Sequence, residues 1–444
     1  MWFESGGIGM LPSRRQENHR VNPGREESMM RVRRMGSAAV VILMLAAFPA
    51  AAEEPAKDEV KVDMSKGGIT FSSGDNSLTL GARIQFRWTA DDKEDFDGDT
   101  AGSGVGHEDG LSNSFDVPRM RLSLKGGMWK PWLKYEFQFD FSRTSGDSSS
   151  KIKDAVIEFV PDERAAIKVG QFKTPFSLQE LTSSGRQEFV DRAITNAKFV
   201  PAKDVGVMVG GTTETKRFGY GVGVFNGGGE SRVQDDQSLL WVGRVWWDPR
   251  GEYKLFESAN DQTDKNIVHV GLGVHTGEAI RGTATSGVFE DVNNQTAWNL
   301  ELAWRNARLF ATGEYFAMKD EQANPTAGAD IDSTGWHAQV GWMVRPKTVE
   351  LALRYAEVDP DTDIDNDRIS ESRLAASYYW KGHNLKIQGD VGQIDYQAGS
   401  RAYFPTSTTT TIQGRGLPNP GTRLSPATED LTDLQFRVQL QLTF

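Results

Sequence analysis

No cysteine occurs among the 444 residues, so neither a disulfide nor a thiolate metal site can hold this chain together. Long apolar runs are almost as scarce. Mean hydropathy is −0.49, and the one extended apolar stretch, Ser37 to Phe48, is too short to cross a bilayer as a helix. A bundle of membrane-spanning helices is therefore excluded. Positive charge is in deficit as well: 50 Lys+Arg stand against 61 Asp+Glu, a formal net charge of −11, and nucleic acid is not an expected partner. Strings that announce catalysis are missing too. There is no Gly-x-Ser-x-Gly and no His-Glu-x-x-His, and His269 and His275 lie far apart on one strand face; no enzyme activity, cofactor or metal is expected. The run Asp359, Asp361, Asp363, Asp365, Asp367 has the spacing of a calcium loop, but Asn366 stands where the loop needs Gly and Ser372 where it needs a bidentate Glu. It reads as a solvated loop.

What the chain does have is alternation. From Thr432 to Phe444, Leu434, Phe436, Val438, Leu440, Leu442 and Phe444 interleave with Gln435, Arg437, Gln439, Gln441 and Thr443. Such a period-2 strand has one apolar and one polar face, and it is long enough to span a bilayer at the tilt of a barrel strand. The polar face suits a water-filled lumen and the apolar face suits lipid. A soluble sandwich would expose the same alternation on shorter strands.

The N-terminal region reads as an export signal. Arg31, Arg33 and Arg34 precede the apolar run and Ala50-Ala51-Ala52 follow it, which predicts a signal peptide over 29–52 with cleavage after Ala52. Residues 1–28, ahead of Met29 and Met30, are expected to be an over-long gene start or an N-terminal extension. Without residues 1–52 the chain keeps 43 basic and 57 acidic residues, a net −14. Residues 53–66 read as a periplasmic lead-in, and 67–444 as the barrel domain.

The alternation repeats along the chain as about sixteen strands, the first over Ser77–Trp88 with Leu78, Leu80, Ala82, Ile84, Phe86 and Trp88 on one face. Arg83 and Arg87 share the other face, and Arg119 and Arg121 share the polar face of the second strand; two arginines on one strand face are costly against lipid. A tight turn is expected at Gly126-Gly127. Connections alternate between short turns on one rim and long loops on the other, which predicts an all-β transmembrane antiparallel barrel, wide enough at sixteen strands for an aqueous channel. The exception in the first half is Thr174 to Lys203. It lacks alternation, and Phe176, Leu181, Phe189, Val190 and Phe199 within it predict that it packs against a wall inside the barrel. The expected anion path comprises Arg83, Arg87, Arg119, Arg121, Lys125, Lys134 and Arg244 on the strands, Lys173 and Lys203 at the segment's edges, and Arg186, Arg192 and Lys198 inside it.

The motif Val169-Gly170-Gln171-Phe172-Lys173-Thr174-Pro175-Phe176-Ser177, with Leu181-Thr182-Ser183-Ser184, Phe189-Val190-Asp191-Arg192, Pro201-Ala202-Lys203-Asp204-Val205-Gly206-Val207 and Phe225-Asn226-Gly227, resembles the signature of the phosphate-selective porin O/P family. The resemblance implies a trimeric sixteen-stranded outer-membrane porin whose third loop folds inward, with Arg and Lys forming a path for small anions such as phosphate. Lys173 matches the basic position of the motif. Phe444 resembles the terminal assembly signal of outer-membrane barrels, which implies the barrel-assembly machinery, membrane lipid and lipopolysaccharide as further partners. The sequence departs from the family in one respect: no stretch offers more than the Arg-x-Arg of Arg119 and Arg121. A general diffusion porin with weak or cation preference, and a barrel serving as adhesin or anchor, stand as alternatives.

Overall fold

The computed structural model describes residues 59–64, 68–93, 110–142, 151–231, 239–261, 263–277, 292–322, 330–403, 417–418 and 430–444. The expected signal peptide, the segment before it and part of the lead-in lie outside these residues. A short hairpin, β1 (Lys61–Asp63) and β2 (Ile69–Ser73), leads into the sheet. Sixteen long strands follow: β3 (Asn76–Lys93), β4 (Gly110–Met128), β5 (Lys130–Asp140), β6 (Lys151–Asp162), β7 (Ala165–Lys173), β8 (Lys203–Thr212), β9 (Phe218–Phe225), β10 (Leu240–Trp247), β11 (Ile267–Gly277), β12 (Val292–Arg305), β13 (Leu309–Gln322), β14 (Ile331–Arg345), β15 (Val349–Asp359), β16 (Ile369–Lys381), β17 (Leu385–Tyr396) and β18 (Leu431–Thr443). Each pairs antiparallel with the next, and β18 returns to pair with β3 from Asp433↔Lys93 to Thr443↔Arg83. The sheet is a closed barrel with no free edge between its first and last strands.

The two faces are sorted as the alternation requires. On β18, Leu434, Leu440 and Leu442 are each at least 45% exposed while Gln439 and Gln441 are buried. This inverts the soluble pattern. The exposed outer face carries Leu, Val and aromatic side chains such as Trp241, Trp247, Trp342 and Trp380, whereas the buried face carries Arg244, Glu301, Arg354 and Arg373. An outer band of apolar residues around a polar interior is the physical signature of a barrel solvated by lipid.

The seam is closed by the last residue. Phe444 donates its backbone N–H to the Ala82 carbonyl at 3.0 Å and accepts from the Ala82 N–H at 2.9 Å. Deleting Phe444 removes both bonds, at about 1 kcal/mol each, from the pairing that closes the barrel. The deletion is therefore expected to lower the fraction of folded, heat-modifiable barrel recovered from membranes, and recovery at the unmodified level would refute this.

Two boundaries differ from the sequence expectation. The chain does not turn at Gly126-Gly127; both remain in β4 and the reversal comes at Trp129, with φ 64°. A Cβ at Gly126 would fall 1.9 Å from the Ser77 carbonyl oxygen, so this glycine permits close approach of two strands and not a turn. In addition, β3 and β4 continue past the apolar pattern, pairing Asp91↔Ser112 and Lys93↔Gly110. Backbone ladders need no apolar side chains once the strand has left the bilayer.

Candidate functional site

Residues 174–202 connect β7 to β8 and contain two short helices, α1 (Leu178–Leu181) and α2 (Ile194–Phe199). Their apolar side chains are buried: Phe176, Phe189, Val190 and Phe199 are at most 1% exposed. Phe199 stacks on Phe316 of β13 at 5.3 Å between centroids, and Phe176 meets His275 of β11 edge-on at 4.8 Å. Gly335 of β14 makes room for this packing, since a Cβ there would lie 2.5 Å from the Phe199 ring.

Polar contacts fix the same segment to many strands. Glu314 of β13 accepts from the N–H groups of Leu178 at 3.0 Å and Gln179 at 2.7 Å, and from the Ser177 hydroxyl at 3.2 Å. That places a carboxylate at the start of α1, where unpaired N–H groups need an acceptor. Asp191 is the busiest carboxylate of the segment. It pairs with Arg87 of β3 at 2.8 Å, Arg119 of β4 at 2.9 Å and Arg437 of β18 at 3.3 Å. Desolvation pushes the Asp191 carboxyl up, but Arg119, Arg87 and Arg437 together hold it well below the usual carboxylate range. Asp390 of β17 extends the row. It binds Arg437 at 2.8 Å and Arg373 of β16 at 3.3 Å and accepts from the Val190 N–H. Arg354 of β15 donates to the Asp191 carbonyl and lies 4.4 Å over the Phe189 ring. These arginines come from five strands and form a spatial row that no single stretch of sequence contains.

Residues 249–261, between β10 and β11, also turn toward the buried face. Tyr253, Phe256 and Ala259 are buried, Arg305 of β12 lies 3.9 Å over the Phe256 ring, and the Ser258 hydroxyl donates to Glu350 of β15 at 3.0 Å. The two segments meet: Glu257 N–H donates to the Arg186 carbonyl at 2.9 Å, and Glu188 N–H donates to the Glu257 carboxylate at 3.1 Å. Burial, and then the neighbouring Glu350 and Glu257, raise the Glu188 carboxyl well above its ordinary range. Its backbone N–H makes it part of the joint between the two segments.

Beside these segments lies a cavity of about 1510 Å³, bounded by parts of β4 to β11, by 173–203 and by the turns after β10 and β16. Among the described residues, its lining includes thirteen Lys or Arg and nine Asp or Glu, a basic excess inside an acidic protein. Ion pairing sharpens the excess. Lys203 is paired with Asp154 at 2.6 Å, Lys153 with Glu230 at 2.7 Å and Arg244 with Glu301 at 2.6 Å. Among the described residues, lining groups outside any ion pair or side-chain hydrogen bond are Lys134, Arg186, Lys254 and Lys381 on the basic side, and Glu136 and Glu252 on the acidic side.

The cations expected from sequence occupy different places. Arg119, Arg121, Lys134, Lys173, Arg186, Arg192, Lys203 and Arg244 line the cavity. Arg83 is buried under the segment and donates to the Ser183 hydroxyl at 3.0 Å, so close that a Cβ at Gly185 would strike its guanidinium. Arg87 is engaged by Asp191. Lys198 is buried on α2, and Lys125 is exposed outside the cavity lining. Lys173 donates its Nζ to the Glu180 and Thr182 carbonyls, and Arg192 donates to the Gln179 and Thr182 carbonyls; both staple the segment to itself. The four arginines of β3 and β4 lack carboxylate partners within their own strands, but Asp191 supplies one to Arg87 and Arg119, and Asp140 lies 2.8 Å from Arg121. Arg354, Arg373, Lys254 and Lys381 were not among the expected residues. Arg354 and Arg373 carry the same signal as Arg83, since each interrupts an apolar alternation. Lys254 and Lys381 sit at turns, where alternation gives no signal. No group of three or more His, Cys, Asp or Glu among the described residues has metal-holding geometry.

A family model described as phosphate-selective porin O and P matches residues 83–415. Among curated proteins, one from Aquifex aeolicus (strain VF5) is 24% identical over 293 residues, spanning 59% of this chain and 68% of its own. Among solved structures, the anion-selective porin from Comamonas acidovorans aligns with TM-score 0.54 and 14% identity, covering 83% of this chain and all of its own. OmpT of Vibrio cholerae aligns with TM-score 0.52 and 9% identity over 84% of this chain and 99% of its own. OprB of Pseudomonas putida gives TM-score 0.51 and 10% identity over 83% and 94%. At these identities the structural likeness establishes the fold.

Proposed function

We propose that this chain, which belongs to the phosphate-selective porin O and P family, is a passive outer-membrane channel for small anions, with inorganic phosphate and related oxyanions among its cargo. The family and the fold are those of outer-membrane channels. Anion preference is carried by one observation, the excess of Lys and Arg over Asp and Glu in the cavity lining, and the anion-selective porin of similar fold supports it. Residues 174–202 are the inward-folded third loop, and they set the narrowest passage. An oxyanion in a partly dehydrated passage exchanges part of its hydration for guanidinium and ammonium donors.

The preference is moderate in this reading. Arg87, Arg119 and Arg121 are matched by carboxylates, so much of the arginine charge holds the loop in place and does not face a passing ion. The functional unit is a homotrimer, as the trimer form of the similarly folded OmpT supports, and the chain is exported with Glu53 as its first mature residue. Zero-current potential across a planar bilayer in a tenfold KCl gradient tests the reading. A potential of the sign set by chloride is expected, and it should fall when phosphate is added to both sides. A potential of the sign set by potassium would replace it with a cation-preferring general porin.

A further inference from the structure

The cavity lining is not uniformly polar. The inward face of β8 presents Gly206, Met208 and Gly210 while Val207 and Val209 face outward, and the inward face of β9 presents Gly219, Gly221 and Gly223. That wall holds no charged side chain between Asp204 and the turn after β8. Trp246 of β10 closes it on one side, its indole laid over Gly219, where a Cβ would fall 2.1 Å from the ring. Leu255, in the turn after β10, belongs to the same lining and remains 38% exposed. Its position is not a loose one. The Phe256 carbonyl next to it accepts from Arg305 at 3.3 Å, and the Glu257 N–H ties the turn to Arg186. Two cations share that lining, Arg186 and Lys254, and among the described residues neither has an ion-pair partner.

A path for hydrated inorganic ions has no use for an exposed leucine, a methionine and an indole beside its unpaired cations. Apolar walls with a few placed charges are how proteins hold organic molecules. We propose that this half of the lumen takes organic anions, carboxylates with an aliphatic or aromatic body, the charged group at Arg186 and Lys254 and the body against Leu255, Met208 and Trp246. This rests on the anion-channel reading and narrows its cargo.

The test uses the full barrel in planar bilayers, with potassium butanoate, hexanoate and octanoate added to a chloride current. In the unmodified protein the half-blocking concentration falls by about fourfold for each two methylenes added, as for partial burial of each CH₂. In Leu255→Ser, and independently in Met208→Thr, that dependence on chain length shrinks by at least half while the chloride reversal potential stays as it was. Both variants are checked for heat-modifiable folding first, and the Leu255 side chain is itself 38% exposed. A chloride-selective channel whose block is the same for all three carboxylates overturns this proposal and leaves the anion-channel reading standing. Undiminished chain-length dependence in both variants also overturns the assignment to this wall. A potassium-selective reversal potential overturns the anion-channel reading, and the cargo proposal with it.

Discussion

Asp191→Asn is expected to change a steady current into one with frequent substates and to raise anion over cation permeability about twofold. One carboxylate here faces Arg87, Arg119 and Arg437, and the amide that replaces it is nearly the same size but uncharged. Each partly exposed pair contributes only about 1 kcal/mol, yet the three converge on one point, and losing them together removes the loop's ion pairs to β3, β4 and β18 at once. The freed guanidiniums also add net positive charge beside the passage. A unit charge about 6 Å from a permeating ion is worth about 0.7 kcal/mol in a water-like dielectric. Screening at a Debye length of about 10 Å roughly halves that, which leaves the twofold change. Single-channel recording gives both quantities, and trypsin accessibility at Arg186 and Arg192 gives an independent measure of loop release. A quiet channel with unaltered reversal potential and unaltered cleavage would show that Asp191 does not latch the loop.

The larger shift is expected from reversing the two unpaired cations together. Arg186→Glu with Lys254→Glu changes the charge of the lining by four units, and among the described residues neither holds an ion pair whose loss would disturb the fold. On the same screened Coulomb scale this is about 1.4 kcal/mol, or a tenfold fall in anion over cation permeability. The zero-current potential should then change sign or come close to zero. The same reversal at Lys130, exposed and outside the cavity lining, should leave it in place. If the double variant keeps the anion preference of the unmodified channel, the selectivity resides at Arg119, Arg121 and Lys134 and not at the meeting of loop and turn.

The barrel was legible because lipid on one side and water on the other impose a binary pattern at period two. Gln439 and Gln441 are buried and Leu440 and Leu442 exposed for that reason, and the same rule counts strands along the whole chain. The loop between β7 and β8 was legible as an interruption of that pattern, with Phe176 and Phe199 too apolar for a solvated segment. The turn over 249–261 was not. Its Tyr253, Phe256 and Leu255 fall in no period, so nothing local distinguishes an inward fold from a long surface turn.

Strand number, the sidedness of every strand and the separation of short turns from long loops are set by residues close to one another in the chain, because each strand meets the same two solvents. Which arginine carries free charge is set otherwise. Arg437 and Asp191 are 246 positions apart and Lys386 and the Gln187 carbonyl 199 apart, and they meet only because the sheet closes and the loop packs within reach of opposite walls. Sequence alone therefore yields a basic lumen face. Closure decides that Arg83, Arg87 and Arg437 hold the loop while Arg186 and Lys254 face the water, since an ion pair depends on distance in space and the pattern of alternation carries none.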